Sequence, residues 1–176
     1  TQDESGVVAT VCDRASGARR SVRAAYVIGA DGAGSTVRRS VGIAMEGPPV
    51  LGRFLTVHIR SDFRAAIGEW LGLLAFIIAP GLQGTFIVHE PVGSQVFNTP
   101  ISGDRPLEDY TKEECAALVR AGFGSDHPFE ILGIGQWVMS AQIAEHYRQG
   151  RVFLVGDSAH RFPPTGGRGL NTGIED

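Results

Sequence analysis

The chain has 176 residues, 43% of them apolar and 20% charged, which suits one folded domain or parts of two and excludes a disordered or fibrous protein. Sixteen basic against nineteen acidic side chains give a formal net charge of −3, leaving no electrostatic footprint for nucleic acid or for stable association with an anionic membrane. The two cysteines, Cys12 and Cys115, cannot make a disulfide framework and point to a reducing cytoplasm, while the longest apolar stretch, 70–79, is far short of a membrane span and no charged-then-apolar leader opens the chain.

In chain order, residues 6–11 read as a strand, 13–17 as a polar turn and 21–28 as the returning strand. Ser35 can cap a short helix that runs through Arg39 and stops at Gly42. Gly47-Pro48-Pro49 punctuates the first third, and a domain crossing is expected near it. Short β-rich runs follow at 54–59, 72–78, 85–89 and 95–99, with a hairpin turn expected from Pro80-Gly81 and Gln83-Gly84; strands this closely spaced suggest an antiparallel sheet. Thr111 with Glu114 forms the pattern of a capping box, and Cys115, Leu118, Val119 and Gly122 continue at helical spacing. Residues 137–143 and 152–155 are further strand candidates, and a helix begins near Gly169. With Thr1 first and a helix just opening at the other end, the chain is expected to be an interior piece of something larger.

Glycine occurs 24 times and concentrates at 29–34 and 166–173. Two short apolar strands each end in Gly and Asp, at Asp31 and at Asp157. In open sheets with parallel strands, ligands sit beyond the carboxyl ends of those strands, where an Asp can accept hydrogen bonds from hydroxyls and a Gly allows close approach. After Asp157 come Ser158-Ala159-His160-Arg161-Phe162-Pro163-Pro164-Thr165-Gly166-Gly167-Arg168-Gly169-Leu170-Asn171. Prolines that stiffen a loop, glycines that tighten it and a helix start with unpaired amides suit an electron-rich ligand edge.

These residues resemble the FAD-dependent aromatic hydroxylases, single-component flavoprotein monooxygenases of the para-hydroxybenzoate and phenol hydroxylase type. Residues 26–38 look like that family's DG motif, 151–160 like its GD motif, and 163–171 like the flavin loop that follows. The wording of 162–167 is nearest to the phenol hydroxylase branch, which includes polyketide-tailoring oxygenases. The resemblance implies an α+β and α/β chain: part of a Rossmann-like FAD-binding domain plus an antiparallel-sheet substrate domain. It divides the chain into 1–44 (FAD-binding), 45–147 (substrate) and 148–176 (return to the FAD-binding domain).

By the same resemblance the parent protein hydroxylates an aromatic, phenolic or polyketide-like substrate with NADH or NADPH and O2, through a flavin C4a-hydroperoxide. Asp157 would bond the ribityl chain of FAD, Pro164 would lie by the isoalloxazine, and amides around Gly169, Leu170 and Asn171 would face N1 and O2, within a loop shaped by Gly166 and Gly167. Asp31 and Gly32 would serve the dinucleotide side, with Asp31 tied to pyridine-nucleotide binding as well. One departure stands out: the G-x-G-x-x-G that receives the FAD pyrophosphate is absent from these 176 residues. The alternative is therefore a truncated or non-catalytic flavin-binding module without turnover.

Other constellations are weaker. Asp157, Ser158 and His160 have the residue types of a hydrolytic triad but stand too close in sequence for its geometry, and no G-x-S-x-G is present. Asp157 and His160 lack a third metal ligand at useful spacing. His160 reads better as a hydrogen-bonded structural residue, and His58 and His89 as satisfied sheet histidines. Trp70, Phe76, Phe86, Phe97 and Trp137 could line an apolar pocket or simply pack a core. Arg161 could meet a phenolate or carboxylate.

Overall fold

A computed structural model describes residues 1–68 and 72–176; Trp70 lies outside the described residues. The chain forms two compact units, Thr1–Pro49 with Ser140–Asp176, and Val50–Met139. Both mix helices with sheets, as an α+β chain does.

The first unit opens with strands β1 (Gln2–Asp3), β2 (Gly6–Cys12) and β3 (Arg19–Ala24), an antiparallel sheet. Its hairpin turns where Asp13 Oδ1 accepts the amides of Ala15 and Ser16, and Gly17 takes φ +70°. The strand expected over 21–28 is in fact two strands in two sheets. β2 begins at Gly6, so β3 runs out of partners at Ala24, and the chain crosses to a new sheet as β4 (Val27–Gly29). Helix α1 (Thr36–Ser40) follows, with Ser35 as its cap and Gly42 at φ +76° behind it, and then β5 (Met45–Glu46).

The second unit is built on β6 (Gly52–Asp62), the short helix α2 (Phe63–Ile67), β7 (Leu74–Ala79), β8 (Leu82–Val88), β9 (Val92–Ile101), helix α3 (Lys112–Phe123) and β10 (Phe129–Met139). Its sheet is antiparallel in the order β10-β6-β9-β8-β7. The β7–β8 hairpin turns on Pro80-Gly81 alone; Gln83 and Gly84 already belong to β8, because Ala79 pairs directly with Leu82. The capping box of α3 is complete: Thr111 Oγ1 accepts the Glu114 amide at 3.1 Å and Glu114 Oε2 accepts the Thr111 amide at 2.8 Å. Leu55, Val57 and Ile59 point to one side of β6 and pack with Phe86, Phe97, Cys115 and Val119 into a buried core. Phe97 fits there only because Gly84 and Gly122 lie on it; a Cβ at either would stand 2.5 or 2.9 Å from its ring.

The chain then returns to the first unit as β11 (Gln142–Ala144), β12 (Arg148–Gln149), β13 (Val152–Leu154), β14 (His160–Arg161) and α4 (Gly169–Glu175). The strand expected over 137–143 is likewise split, since β10 ends at Met139 and β11 pairs with β5 and β14 instead. That pairing holds residues 45–46 and 142–144 in the first unit, whereas the sequence pattern groups them with the β-rich segment 45–147. β13 lies parallel to β4, with Val152 opposite Val27 and Leu154 opposite Gly29, and antiparallel to β12. Ile43, Ala144, Leu154 and Ala159 form the small core beneath.

Candidate functional site

The parallel pair β4–β13 sets the geometry of the first unit. Both strands end on one line, so the turns at Asp31 and Asp157 leave the same edge of the sheet. Gly29 is needed at that edge: a Cβ there would stand 2.8 Å from Val37 Cγ1 and 3.0 Å from Leu154 Cδ2.

The two Gly-Asp turns use their carboxylates differently. Asp31 is committed to its own chain. Its Oδ1 accepts the Ser35 hydroxyl at 2.5 Å, and its Oδ2 accepts the amides of Thr36 and Val37 at 2.7 and 3.0 Å. Burial pushes the Asp31 carboxyl up, but the Ser35 hydroxyl and the Val37 and Thr36 amides outweigh it and hold the group below the usual carboxylate range. Asp157, by contrast, is exposed and its carboxylate has no protein partner among the described residues. Its turn is fixed by Ser158, buried, whose single hydroxyl proton lies within reach of the Gly29 and Val155 carbonyls and whose oxygen accepts the Val155 amide. Gly156 takes φ +59°.

Two arginines knit the turns together. Arg38, 6% exposed, donates from Nη1 to the Ser158 carbonyl at 2.8 Å and from Nη2 to the Ala33 carbonyl at 3.4 Å. Burial, and then the charge of Arg161, lower the affinity of Arg38 for its proton. Arg161, considered a phenolate or carboxylate partner from sequence, spends its fork on the Ala33 carbonyl and on Gln142 Oε1.

Beyond His160 the loop is open. Pro164, Thr165, Gly166, Gly167 and Arg168 are exposed, Gly166 and Gly167 take φ +89° and +62°, and one bond, from the Gly167 amide to the Pro164 carbonyl at 3.1 Å, crosses it. Arg168 stands at the start of α4 with no side-chain cap, so the first amides of that helix, at Gly169, Leu170 and Asn171, lack intrahelical partners. A Cβ at Gly167 or Gly169 would meet nothing within 4 Å. The polar groups thus comprise an accepting carboxylate unpartnered among the described residues and a run of uncapped donor amides, with the bare backbone of Gly166 and Gly167 between them. They suit the hydroxylated, electron-rich end of a flavin cofactor; no G-x-G-x-x-G turn is present for the pyrophosphate end. The 510 Å³ cavity of this unit lies elsewhere, lined by residues including Val8, Val27, Val37 and Val41.

His160 is a bonded structural residue as its context suggests: it is 1% exposed and its Nε2 lies 2.8 Å from Asp176 Oδ2. The described residues contain no group of three potential metal ligands.

The second unit presents a different surface. On the side of its sheet turned away from α3, Thr56 donates to Asn98 Oδ1 at 2.6 Å, His58 Nε2 meets Ser94 Oγ at 2.8 Å, and Phe54 stacks on Trp137 with centroids 4.5 Å apart. Gly135 and Gly133 stand across from Thr56 and His58 with open space above them. Phe76 and Ile78 extend this face and are 68% and 86% exposed, while Phe86 and Phe97 belong to the core. His89 falls just past β8 and is exposed.

Comparison with known proteins identifies the family and the fold. The profile of the family described as FAD binding domain matches residues 1–176. A putative polyketide hydroxylase of Streptomyces halstedii is 40% identical over 99% of this chain and 32% of its own length. The tetracenomycin A2 monooxygenase-dioxygenase of Streptomyces glaucescens is 37% identical over 100% of this chain and 33% of its own. Among solved structures, the flavin-dependent monooxygenase PieE in complex with FAD and substrate superposes with a TM-score of 0.90 at 32% identity, covering 99% of this chain and 31% of that one. Aklavinone-11 hydroxylase, in a ternary complex with FAD and aklavinone, gives 0.87 at 32% identity over 97% and 32%. The chain spans about a third of the length of these relatives.

Proposed function

The chain belongs to the FAD binding domain family along its whole length, and from that premise we propose that it is part of an FAD-dependent monooxygenase that hydroxylates an aromatic, phenolic or polyketide-like substrate with NADH or NADPH and O2. The observation that carries this reading is the pairing of two parallel strands whose Gly-Asp turns leave one sheet edge, with the second carboxylate unpartnered among the described residues and an uncapped helix packed back on its turn through Gly173 and Asp176. The named activities of the similar proteins support it.

In this reading Asp157 accepts hydrogen bonds from the ribityl hydroxyls. Pro164 lies against the isoalloxazine, Gly166 and Gly167 shape the loop, and the amides of Gly169, Leu170 and Asn171 donate to the N1 and O2 edge, where the partial positive charge of a helix start favours added electron density. Asp31 serves the dinucleotide side indirectly: its carboxylate is used up in ordering the turn, and Gly32, at φ +77°, leaves that turn bare for close approach. Bound FAD supplies the redox chemistry; the chain's residues hold and orient it and exclude water. The stacked Phe54–Trp137 pair and the Thr56–Asn98 and His58–Ser94 pairs offer an aromatic substrate a flat apolar edge with hydroxyl-binding groups beside it. The exposed Ile28 on β4 and Leu170 and Ile174 on α4, 67%, 77% and 73% exposed, support the view that parts of the parent protein before and after this chain cover them.

The test is Asp157→Ala. Because Asp157 bonds none of the other described residues, the thermal midpoint should hold while FAD retention by the full-length protein, read from the visible absorption spectrum after free cofactor is removed, falls at least tenfold, the effect of a charged hydrogen-bond partner lost, roughly 1.5–3 kcal/mol. Unchanged flavin affinity would sink the assignment. The second reading, a flavin-binding module without turnover, is favoured for these residues alone by the missing G-x-G-x-x-G, and substrate-stimulated NAD(P)H oxidation separates the two.

A further inference from the structure

The loop proposed to meet the flavin has few bonds of its own, yet both of its ends are fastened. At its start, the Ser158 turn is held by Gly29 and Arg38. At its far end, α4 closes back on that turn. Gly173 lies against Gly156, so closely that a Cβ on Gly173 would stand 3.1 Å from Gly156 Cα. Asp176, at the carboxyl end of α4, accepts the Gly156 amide at 2.6 Å through Oδ2, and the same oxygen lies 2.8 Å from His160 Nε2. The His160 ring is 1% exposed and the Asp176 side chain 8%. Phe162 and Tyr147 lie near the ring with centroids 4.9 and 6.1 Å away, and Nδ1 has no partner among the described residues.

We propose that His160 and Asp176 are a positioning pair for this loop: the bond donated from Nε2 to the Asp176 carboxylate closes residues 160–176 into a hoop and thereby fixes where the first amides of α4 stand relative to Asp157. The consequence for flavin rests on the function proposed above; the closure itself does not. Three features separate this pair from ordinary packing. The shared oxygen bridges both ends of the hoop through Gly156 and His160. The ring packs against two aromatic neighbours, and Nε2 is the nitrogen that meets the carboxylate. The loop between carries so little internal bonding that its shape depends on its ends.

The donor position makes the test specific. His160→Phe keeps the ring and its apolar contacts but removes the donor. His160→Gln puts an amide N–H near the place of Nε2, and His160→Asn puts it near Nδ1. Asp176→Ala removes the acceptor, and with it the bond from the Gly156 amide. Limited trypsin cleavage after Arg168, measured against cleavage after Arg14 in the exposed β2–β3 turn, reads the loop without any cofactor. His160→Phe and Asp176→Ala should each raise the ratio about tenfold, the double variant should go no further, and His160→Gln should return it toward the original while His160→Asn does not. A ratio unchanged in His160→Phe, or restored equally by Gln and Asn, overturns the proposal. The flavin consequence has its own readout: FAD should protect the Arg168 bond in the unsubstituted full-length protein. Lack of protection counts against the flavin assignment, and the cleavage ratios still decide the pair.

Discussion

Arg38 Nη1 donates to the Ser158 carbonyl at 2.8 Å, so a helix that follows the first Gly-Asp turn is bonded to the second, 120 residues later. Among the described residues the buried guanidinium forms no salt bridge and bonds two backbone carbonyls. Arg38→Lys should therefore fail to substitute, since one ammonium cannot span the Ser158 and Ala33 carbonyls in the fork geometry. Arg38→Met should cost about 2 kcal/mol in a urea titration, the range for a lost hydrogen bond to a charged group. A midpoint equal to that of the original chain in either variant would show that the two turns are not joined through this residue.

Asp31 links the same turn to pH. Its folded-state carboxyl is held below the ordinary value of 3.8 despite burial, by the hydroxyl and two amides it accepts. A depressed carboxyl contributes stability that is fully present above the unfolded value and is lost as pH falls through the folded one. The thermal midpoint of the chain should accordingly decline below about pH 4. Asp31→Asn should be less stable at neutral pH, and its difference from the original should shrink as the solution is acidified. A constant difference from about pH 7 down to about pH 2 would contradict this role.

The residues proposed to meet the cofactor stand out in the sequence for local reasons. Asp157, the two prolines and the glycines of 166–169 stand within a dozen positions of one another, and stiffness, positive φ and a helix start are all local properties. The capping box of α3 and the Ser35 cap are local in the same way. What the sequence could not display is pairing between distant residues. Nothing in the alternation of 21–28 marks that β3 loses its partner at Ala24, because that limit is set by where β2 begins. The two-residue strands at Met45–Glu46 and His160–Arg161 have no period to detect. α2 was hidden for a related reason: five residues capped by Asp62 sit within a β-rich segment. Arg38 with Ser158, and His160 with Asp176, meet only after the sheet and α4 have formed, although an invariant helical pitch from Gly169 would have placed Gly173 and Asp176 on neighbouring turns.

The core of the second unit supplies a prediction independent of any cofactor. Phe97 is fully buried between Gly84 and Gly122, and a Cβ at Gly84 would stand 2.5 Å from Phe97 Cε2 and 3.2 Å from the Asn98 carbonyl oxygen. That oxygen is backbone in the central part of the sheet, so the strain cannot be relieved by moving one flexible side chain. Gly84→Ala should destabilise this unit by about 1–3 kcal/mol, the usual range for overpacking a filled core. Cys115 offers a direct probe: it is buried beside this core, and burial, reinforced by the charge of Glu114, raises its thiol pKa, whereas Cys12 is exposed. A thiol reagent should modify Cys12 at once and Cys115 only as the unit opens. Gly84→Ala should speed the second reaction roughly tenfold, as 1.4 kcal/mol implies, and leave the first unaltered. Equal rates at Cys115 in the two proteins would mean that the sheet accommodates the methyl group and that Phe97 is not confined as its contacts indicate.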